Sequence, residues 1–132
     1  MRISRSVFLL LLLSGLVWEA GAEQVHKLVS PAQFQERMEE GNVVLLDVRT
    51  PKEHAEVYIP DTNLLINVLD PEFAAKIKAL PVAKVYLVYC RSGHRSAKAV
   101  KLMKEDGFPV IYELDGGMNA WTAAGLPVET GK

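Results

Sequence analysis

Val85-Tyr86-Leu87-Val88-Tyr89-Cys90-Arg91-Ser92-Gly93-His94-Arg95-Ser96 decides how this chain folds. Its first five residues, Val85 to Tyr89, are the clearest strand in the sequence, an unbroken β-branched and aromatic run. From Ser96 to Asp106 the period changes to that of a helix. Ala99, Val100 and Met103 fall on one face, Lys98, Lys101 and Glu105 lie away from it, and Gly107 is the expected C-terminal cap. A strand runs through a short polar loop into a helix, and the loop opens on a cysteine.

The same grammar repeats on both sides. Upstream, Ser30-Pro31-Ala32-Gln33 predicts a helix start: Ser30 caps, Pro31 takes the first helical position and Gln33 closes a capping box, with the end at Gly41. Val43-Val44-Leu45-Leu46 follows as a continuous apolar run, as in strands covered on both faces. Thr50-Pro51-Lys52-Glu53 opens a short helix. Leu64-Leu65-Ile66 reads as a strand, and Asp70-Pro71-Glu72 starts a helix to about Leu80, stopped by Pro81. Downstream, Val110-Ile111-Tyr112 is a further strand, and Asp115-Gly116-Gly117 turns the chain into a last helix containing Trp121, which reads as core. This alternation predicts an α/β fold, a parallel sheet of about five strands with helices on both faces. Ligands of such sheets bind beyond the carboxyl ends of the strands, and Cys90 stands at one of those ends.

Composition narrows the chemistry. The chain has 132 residues, 15 basic and 16 acidic, a net charge of −1, 49% hydrophobic residues and one cysteine. One domain is expected at this length. An apolar, nearly neutral chain fits neither disorder nor a nucleic-acid-binding surface. A single cysteine excludes an intrachain disulfide and a cysteine-only metal cluster. His26 and His54 have no metal-ligand spacing with Cys90, and no metal or cofactor is expected.

Part of the apolar content belongs to residues 1–22. A basic start with Arg2 and Arg5, the run Val7-Phe8-Leu9-Leu10-Leu11-Leu12-Leu13 and the small residues Ala20-Gly21-Ala22 form a secretory signal pattern, with cleavage expected after Ala22. The apolar stretch is short for a membrane span, and Glu19 interrupts its far end. Arg2, Arg5 and Glu19 leave with the signal, so residues 23–132 carry a net charge of −2. They form the single expected domain, exported, periplasmic in a Gram-negative cell, and without stable membrane association. In an oxidising compartment a leftover cysteine points to a reactive or intermolecular thiol.

The cysteine loop has the parts such a thiol needs. Successive backbone N–H groups entering a helix can converge into an anion-binding concavity, and the helix N-terminus adds positive potential there. Gly93 permits a backbone turn that a side chain would obstruct. Arg91 and Arg95 supply fixed positive charge, Ser96 is placed as the helix cap, and Ser92 and His94 complete the loop. The set should favour the Cys90 thiolate, the nucleophilic form. His94 is either a solvent-facing loop residue or a proton shuttle near working pH.

Cys90-Arg91-Ser92-Gly93-His94-Arg95-Ser96 resembles the active-site loop of the rhodanese-like sulfurtransferases. Asp47-Val48-Arg49 resembles the family's Asp-x-Arg, Glu53 falls where an acidic residue commonly follows it, and Asp115-Gly116-Gly117-Met118-Asn119-Ala120-Trp121 is similar to its closing Gly-Gly-x-x-x-Trp segment. The family's His-Ile-Pro-Gly-Ala stretch is replaced by Tyr58-Ile59-Pro60-Asp61-Thr62. The resemblance implies a single rhodanese-like domain in which Cys90 takes sulfane sulfur from thiosulfate or a related anionic donor as a persulfide. A thiol, cyanide or a protein acceptor then removes it. It makes Arg91, Ser92, Gly93, His94, Arg95 and Ser96 the substrate cradle. Asp47 is expected to orient the active-site loop. Arg49 either reaches the substrate or pairs with a carboxylate. A periplasmic sulfur-carrier or partner-binding module without free-standing turnover is the alternative. A cysteine phosphatase or arsenate reductase is disfavoured, because related phosphatases place five residues between Cys and Arg, whereas Arg91 to His94 are four.

Overall fold

The computed structural model describes residues 24–131. The export signal expected over residues 1–22 lies outside the described residues. Ten elements follow in order: β1 (Val25–Val29), α1 (Pro31–Glu39), β2 (Val43–Asp47), α2 (Pro51–Glu56), β3 (Leu64–Leu65), α3 (Phe73–Lys78), β4 (Val85–Tyr89), α4 (His94–Glu105), β5 (Val110–Leu114) and α5 (Gly117–Ala123). The five strands form one sheet in the order β1-β5-β4-β2-β3, and every pairing is parallel. β4 is the middle strand.

Alternate residues of the central strands feed two cores, as the two-residue period requires. Leu46, Val88 and Ile111 point to one face, where they meet Ile77 of α3 and Ala99, Val100 and Met103 of α4. Leu45, Leu87, Tyr89 and Leu114 point to the other, against Phe34 of α1 and Trp121 of α5. Trp121 is buried, sets its ring edge-on to Phe34 and donates its indole N–H to the Pro127 carbonyl at 2.8 Å.

Local signals account for most element ends. Ser30 accepts the Gln33 N–H while the Gln33 side chain accepts the Ser30 N–H, a reciprocal capping box. Gly107 has φ +85°; its N–H reaches the Lys104 carbonyl and that of Phe108 the Met103 carbonyl, which closes α4 as a Schellman turn. Two starts differ from expectation. α3 begins at Phe73 rather than Asp70, because the Asp70 carboxylate accepts the Glu72 N–H at 2.8 Å and holds that stretch as a turn. α4 begins at His94 rather than Ser96, because Gly93, in the left-handed conformation, completes the turn out of β4 two residues earlier. β1 is the edge strand that the apolar pattern did not mark. His26 and Lys27 interrupt its hydrophobicity, and it is held by pairing with β5 and by a His26 Nε2 contact to the Phe108 carbonyl at 2.8 Å.

Candidate active site

Cys90 follows β4 directly and is fully buried. Gly93, with φ +107°, folds the loop back so that its N–H donates to Cys90 Sγ at 3.1 Å. The thiol lies 3.4 Å from Ser96 Oγ. The expected concavity has one N–H on the sulfur, and the N–H groups of Ser92, His94, Arg95 and Ser96 have no acceptor among the described residues. Ser96 is not the helix cap. Two residues inside α4, its buried hydroxyl faces inward and reaches the Gly93 carbonyl at 3.1 Å and Glu113 Oε2 at 2.8 Å.

The far wall of the loop is α5. The Met118 N–H donates to the Cys90 carbonyl at 2.9 Å and the Asn119 N–H to the Arg91 carbonyl at 3.0 Å. This docking explains the paired glycines. A Cβ on Gly117 would stand 2.4 Å from the Cys90 carbonyl oxygen and 2.6 Å from Arg91 C, while Gly116 and Gly117 both hold left-handed φ. Any side chain at Gly117 pushes the helix off the loop.

On the β2 side, the fully buried Asp47 carboxylate accepts from the Arg49 backbone N–H at 2.9 Å and from the guanidinium at 2.7–3.1 Å. His54 Nδ1 lies 2.9 Å from the same carboxylate. Arg49 also donates to the Val57 carbonyl at 2.7 Å and lies over the Tyr89 ring. Burial works against the Arg49 charge, but the Asp47 carboxylate outweighs it and holds the guanidinium above its ordinary pKa. Arg49 therefore takes the carboxylate partner. Asp47 orders the β2–α2 turn; no hydrogen bond joins its side chain to the cysteine loop. His54, which the spacing left without a role, is a third member of this group.

Arg95 corrects a further expectation. Its charge is not directed into the cradle but forms a two-pronged pair with Glu53, at 2.6 and 2.7 Å. The Arg95 guanidinium holds the Glu53 carboxyl down at about 2. Thr50, the cap of α2, donates its hydroxyl to Glu53 at 3.1 Å. α2 is thereby clamped to the start of α4. Arg91, Ser92 and His94 are exposed. Arg91 lines a cleft of about 270 Å³ with Arg49, Glu53, Met118, Asn119 and Thr122. Ser92, Gly93 and His94 line a separate cavity of about 300 Å³ with Glu113, Asp115 and Gly116.

The substituted segment at Tyr58-Ile59-Pro60-Asp61-Thr62 keeps a tight turn by other means. Asp61 adopts φ +68°, a conformation that Asp tolerates better than most residues. Thr62 Oγ1 donates to the Ile59 carbonyl at 2.6 Å and lies 2.8 Å from the Tyr89 hydroxyl. The Tyr58 ring stacks on His54 at 4.4 Å.

Glu113 is the site residue that sequence reasoning missed. The signal was present: it is two residues from Ile111, on the strand face that α4 covers, where an acidic side chain needs a partner.

Comparison with known proteins agrees with this geometry. The rhodanese-like domain family matches residues 30–124. A sulfurtransferase of Allochromatium vinosum is 34% identical over 104 residues, covering 79% of this chain and 94% of that protein. The thiosulfate sulfurtransferase GlpE of Pseudoalteromonas translucida is 31% identical over 104 residues, covering 74% and 90%. The crystal structure of a rhodanese-related protein from Thermoplasma volcanium superposes with a TM-score of 0.69 at 31% identity, covering 79% of this chain and 98% of that one. With the cysteine loop, the Asp47–Arg49 turn and the docked Gly116-Gly117 helix all in place, the chain belongs to the rhodanese-like domain family.

Proposed function

We propose that this domain is a sulfurtransferase in which Cys90 carries sulfane sulfur from thiosulfate, or a related anionic donor, to a thiophilic acceptor. One observation carries the reading. The only cysteine has its Sγ inside a strand-to-helix loop, with the Gly93 N–H already on it at 3.1 Å. The first N–H groups of α4 (His94, Arg95, Ser96) have no acceptor among the described residues. Such N–H groups stabilise an anionic sulfur without adding a bulky group, and the helix end adds to their effect.

The Cys90 thiolate attacks the outer sulfur of thiosulfate. A bond from Sγ to that sulfur forms, the sulfur–sulfur bond of thiosulfate breaks, and sulfite leaves with the electron pair. Cyanide or a thiolate then attacks the terminal sulfur of the persulfide and restores the Cys90 thiolate, a double displacement with ping-pong kinetics. With no second cysteine in the chain, the acceptor comes from outside. Relatives named as sulfurtransferases, one of them for thiosulfate, support this assignment.

The test is mass spectrometry of the protein after thiosulfate treatment. One added sulfur on Cys90, absent in Cys90→Ser and removed by cyanide, is expected. No gain, or an equal gain in Cys90→Ser, overturns the reading. A persulfide that resists cyanide and passes only to a protein thiol makes the domain a carrier. We further propose that residues 1–22 are an export signal removed after Ala22. Cell fractionation with N-terminal sequencing checks this: a start at Glu23 outside the cytoplasm is expected, and an intact Met1 inside it is not compatible.

A further inference from the structure

The Ser96 hydroxyl has one proton and three partners: Cys90 Sγ at 3.4 Å, the Gly93 carbonyl at 3.1 Å and Glu113 Oε2 at 2.8 Å. The direction in which that proton points therefore depends on what the sulfur and the carboxyl are doing. With Glu113 ionised, its carboxylate is the strongest acceptor, the hydroxyl turns to it, and Ser96 Oγ is left to accept from the thiol S–H. With Glu113 protonated, the carboxyl donates to Ser96 Oγ, and the hydroxyl is free to donate to an anionic sulfur. The two arrangements hold the same number of protons and differ in whether the sulfur or the carboxyl carries one, and in the direction of one hydroxyl.

We propose that Cys90, Ser96 and Glu113 form one proton-sharing unit, in which Glu113 takes up a proton through Ser96 when the Cys90 sulfur becomes anionic. This rests on the sulfurtransferase reading and deepens it. In the donor half-reaction the thiol proton moves to Ser96 Oγ as the Ser96 proton moves to Glu113. Sγ then attacks the outer sulfur of the donor and sulfite departs. The thiol, thiosulfate and the Glu113 carboxylate thus become an anionic persulfide, sulfite and a neutral Glu113 carboxyl, with charge and protons balanced. Cyanide discharge leaves the thiolate, which recovers the proton by the same route. Glu113 is a positioning residue, since it reaches the sulfur only through Ser96.

The surroundings suit a carboxyl that exchanges a proton. Its partners in the sheet, Leu28 of β1 and Val88 of β4, are apolar. Burial raises its pKa against the Ser96 hydrogen bond and the charge of Lys104, and Asp115 raises it further. His94 lines the same 300 Å³ cavity, which gives the carboxyl a way to solvent.

The rate of Cys90 alkylation by iodoacetamide, followed from pH 4 to 10, tests the unit without requiring sulfur transfer. The wild type should show two steps, because sulfur and carboxyl titrate as a pair. Glu113→Gln donates to Ser96 as the neutral acid does and carries no charge. It should show one step and alkylate at least about threefold faster than wild type at pH 7, where the wild-type carboxylate opposes the thiolate. Superimposable profiles overturn the proposal. If Glu113→Gln does not fold, the Glu113 carboxyl ¹³C resonance of the folded wild type decides the matter. It should titrate in two steps in wild type and in one in Cys90→Ser, and identical single-step curves overturn the proposal. Normal sulfur loading with single-step titration removes this unit and leaves the sulfurtransferase. Two-step titration with no loading does the reverse.

Discussion

Two loops meet at the carboxyl edge of the sheet, and they are built on opposite plans. The β2–α2 turn is held by side chains: Arg49 and His54 both close on Asp47, and Glu53 reaches across to Arg95. The β4–α4 loop is held by backbone: carbonyls of Cys90 and Arg91 accept from α5, and Gly93 turns the chain, while Arg91, Ser92 and His94 stay exposed. Charge satisfied internally makes a frame. Donors left unspent make a receptor. A substrate anion can be bound only where the protein has not already supplied a partner, so the cysteine loop is held through the carbonyls it gives to α5 and through the Glu53–Arg95 pair, while its N–H groups stay unspent.

That division predicts unequal costs, and the buried pair should be the most costly to break. Asp47→Asn leaves the Arg49 guanidinium, 3% exposed, without a charged partner. A loss of about 3–5 kcal/mol in urea unfolding is expected. A loss below about 1 kcal/mol would show that the turn is not the frame. Gly117→Ala should come next. It adds left-handed strain to a Cβ lying 2.4 Å from the Cys90 carbonyl, and about 2–3 kcal/mol is expected, with sulfur loading falling alongside. Unchanged loading would mean that the docking of α5 does not shape the loop.

The Glu53–Arg95 pair is partly solvated, and its contribution is smaller and depends on pH. Glu53 sits at about 2 in the folded chain, below its unfolded value. Its stabilisation is therefore complete above the unfolded value and lost as pH falls from about 5 toward 2. Glu53→Gln should cost about 1–2 kcal/mol at pH 7, after screening by solvent, and little at pH 2. The wild-type and variant stability curves should converge over that window; parallel curves would show that the pair contributes nothing to the frame.

Much of this contrast could be read in the sequence. The cysteine loop, the strands at Val43 and Val85 and the capping box at Ser30 rest on neighbours within about five positions, which a linear reading captures. The pairs Arg95–Glu53 and Ser96–Glu113 join residues 42 and 17 positions apart. The charge of Arg95 gave no sign of which way it would point, and the place of Ser96 depended on where Gly93 began the helix. β1 is faint in the sequence for a related reason: an edge strand with His26 and Lys27 carries little apolar signal and is defined by what it pairs with.

The smallest effect on stability should come from Arg91, an exposed residue of the cysteine loop. The Arg91 side chain makes no hydrogen bond or ion pair among the described residues, and it lines the cleft beside the cysteine loop. Removing it should change stability by less than about 0.5 kcal/mol, because no frame contact is lost. On the proposed sulfurtransferase reading, its charge attracts an anionic donor that enters by this cleft. In Arg91→Ala the KM for thiosulfate should rise about three- to tenfold, and the difference should shrink in high salt as the field is screened. Discharge of a preformed persulfide to a neutral thiol acceptor should stay within about twofold of wild type, since that step brings no multiply charged anion to the cleft. Equal changes in both half-reactions would move Arg91 from donor attraction to general loop shape. A fall in stability matching that of Glu53→Gln would erase the distinction between the loop that holds and the loop that receives.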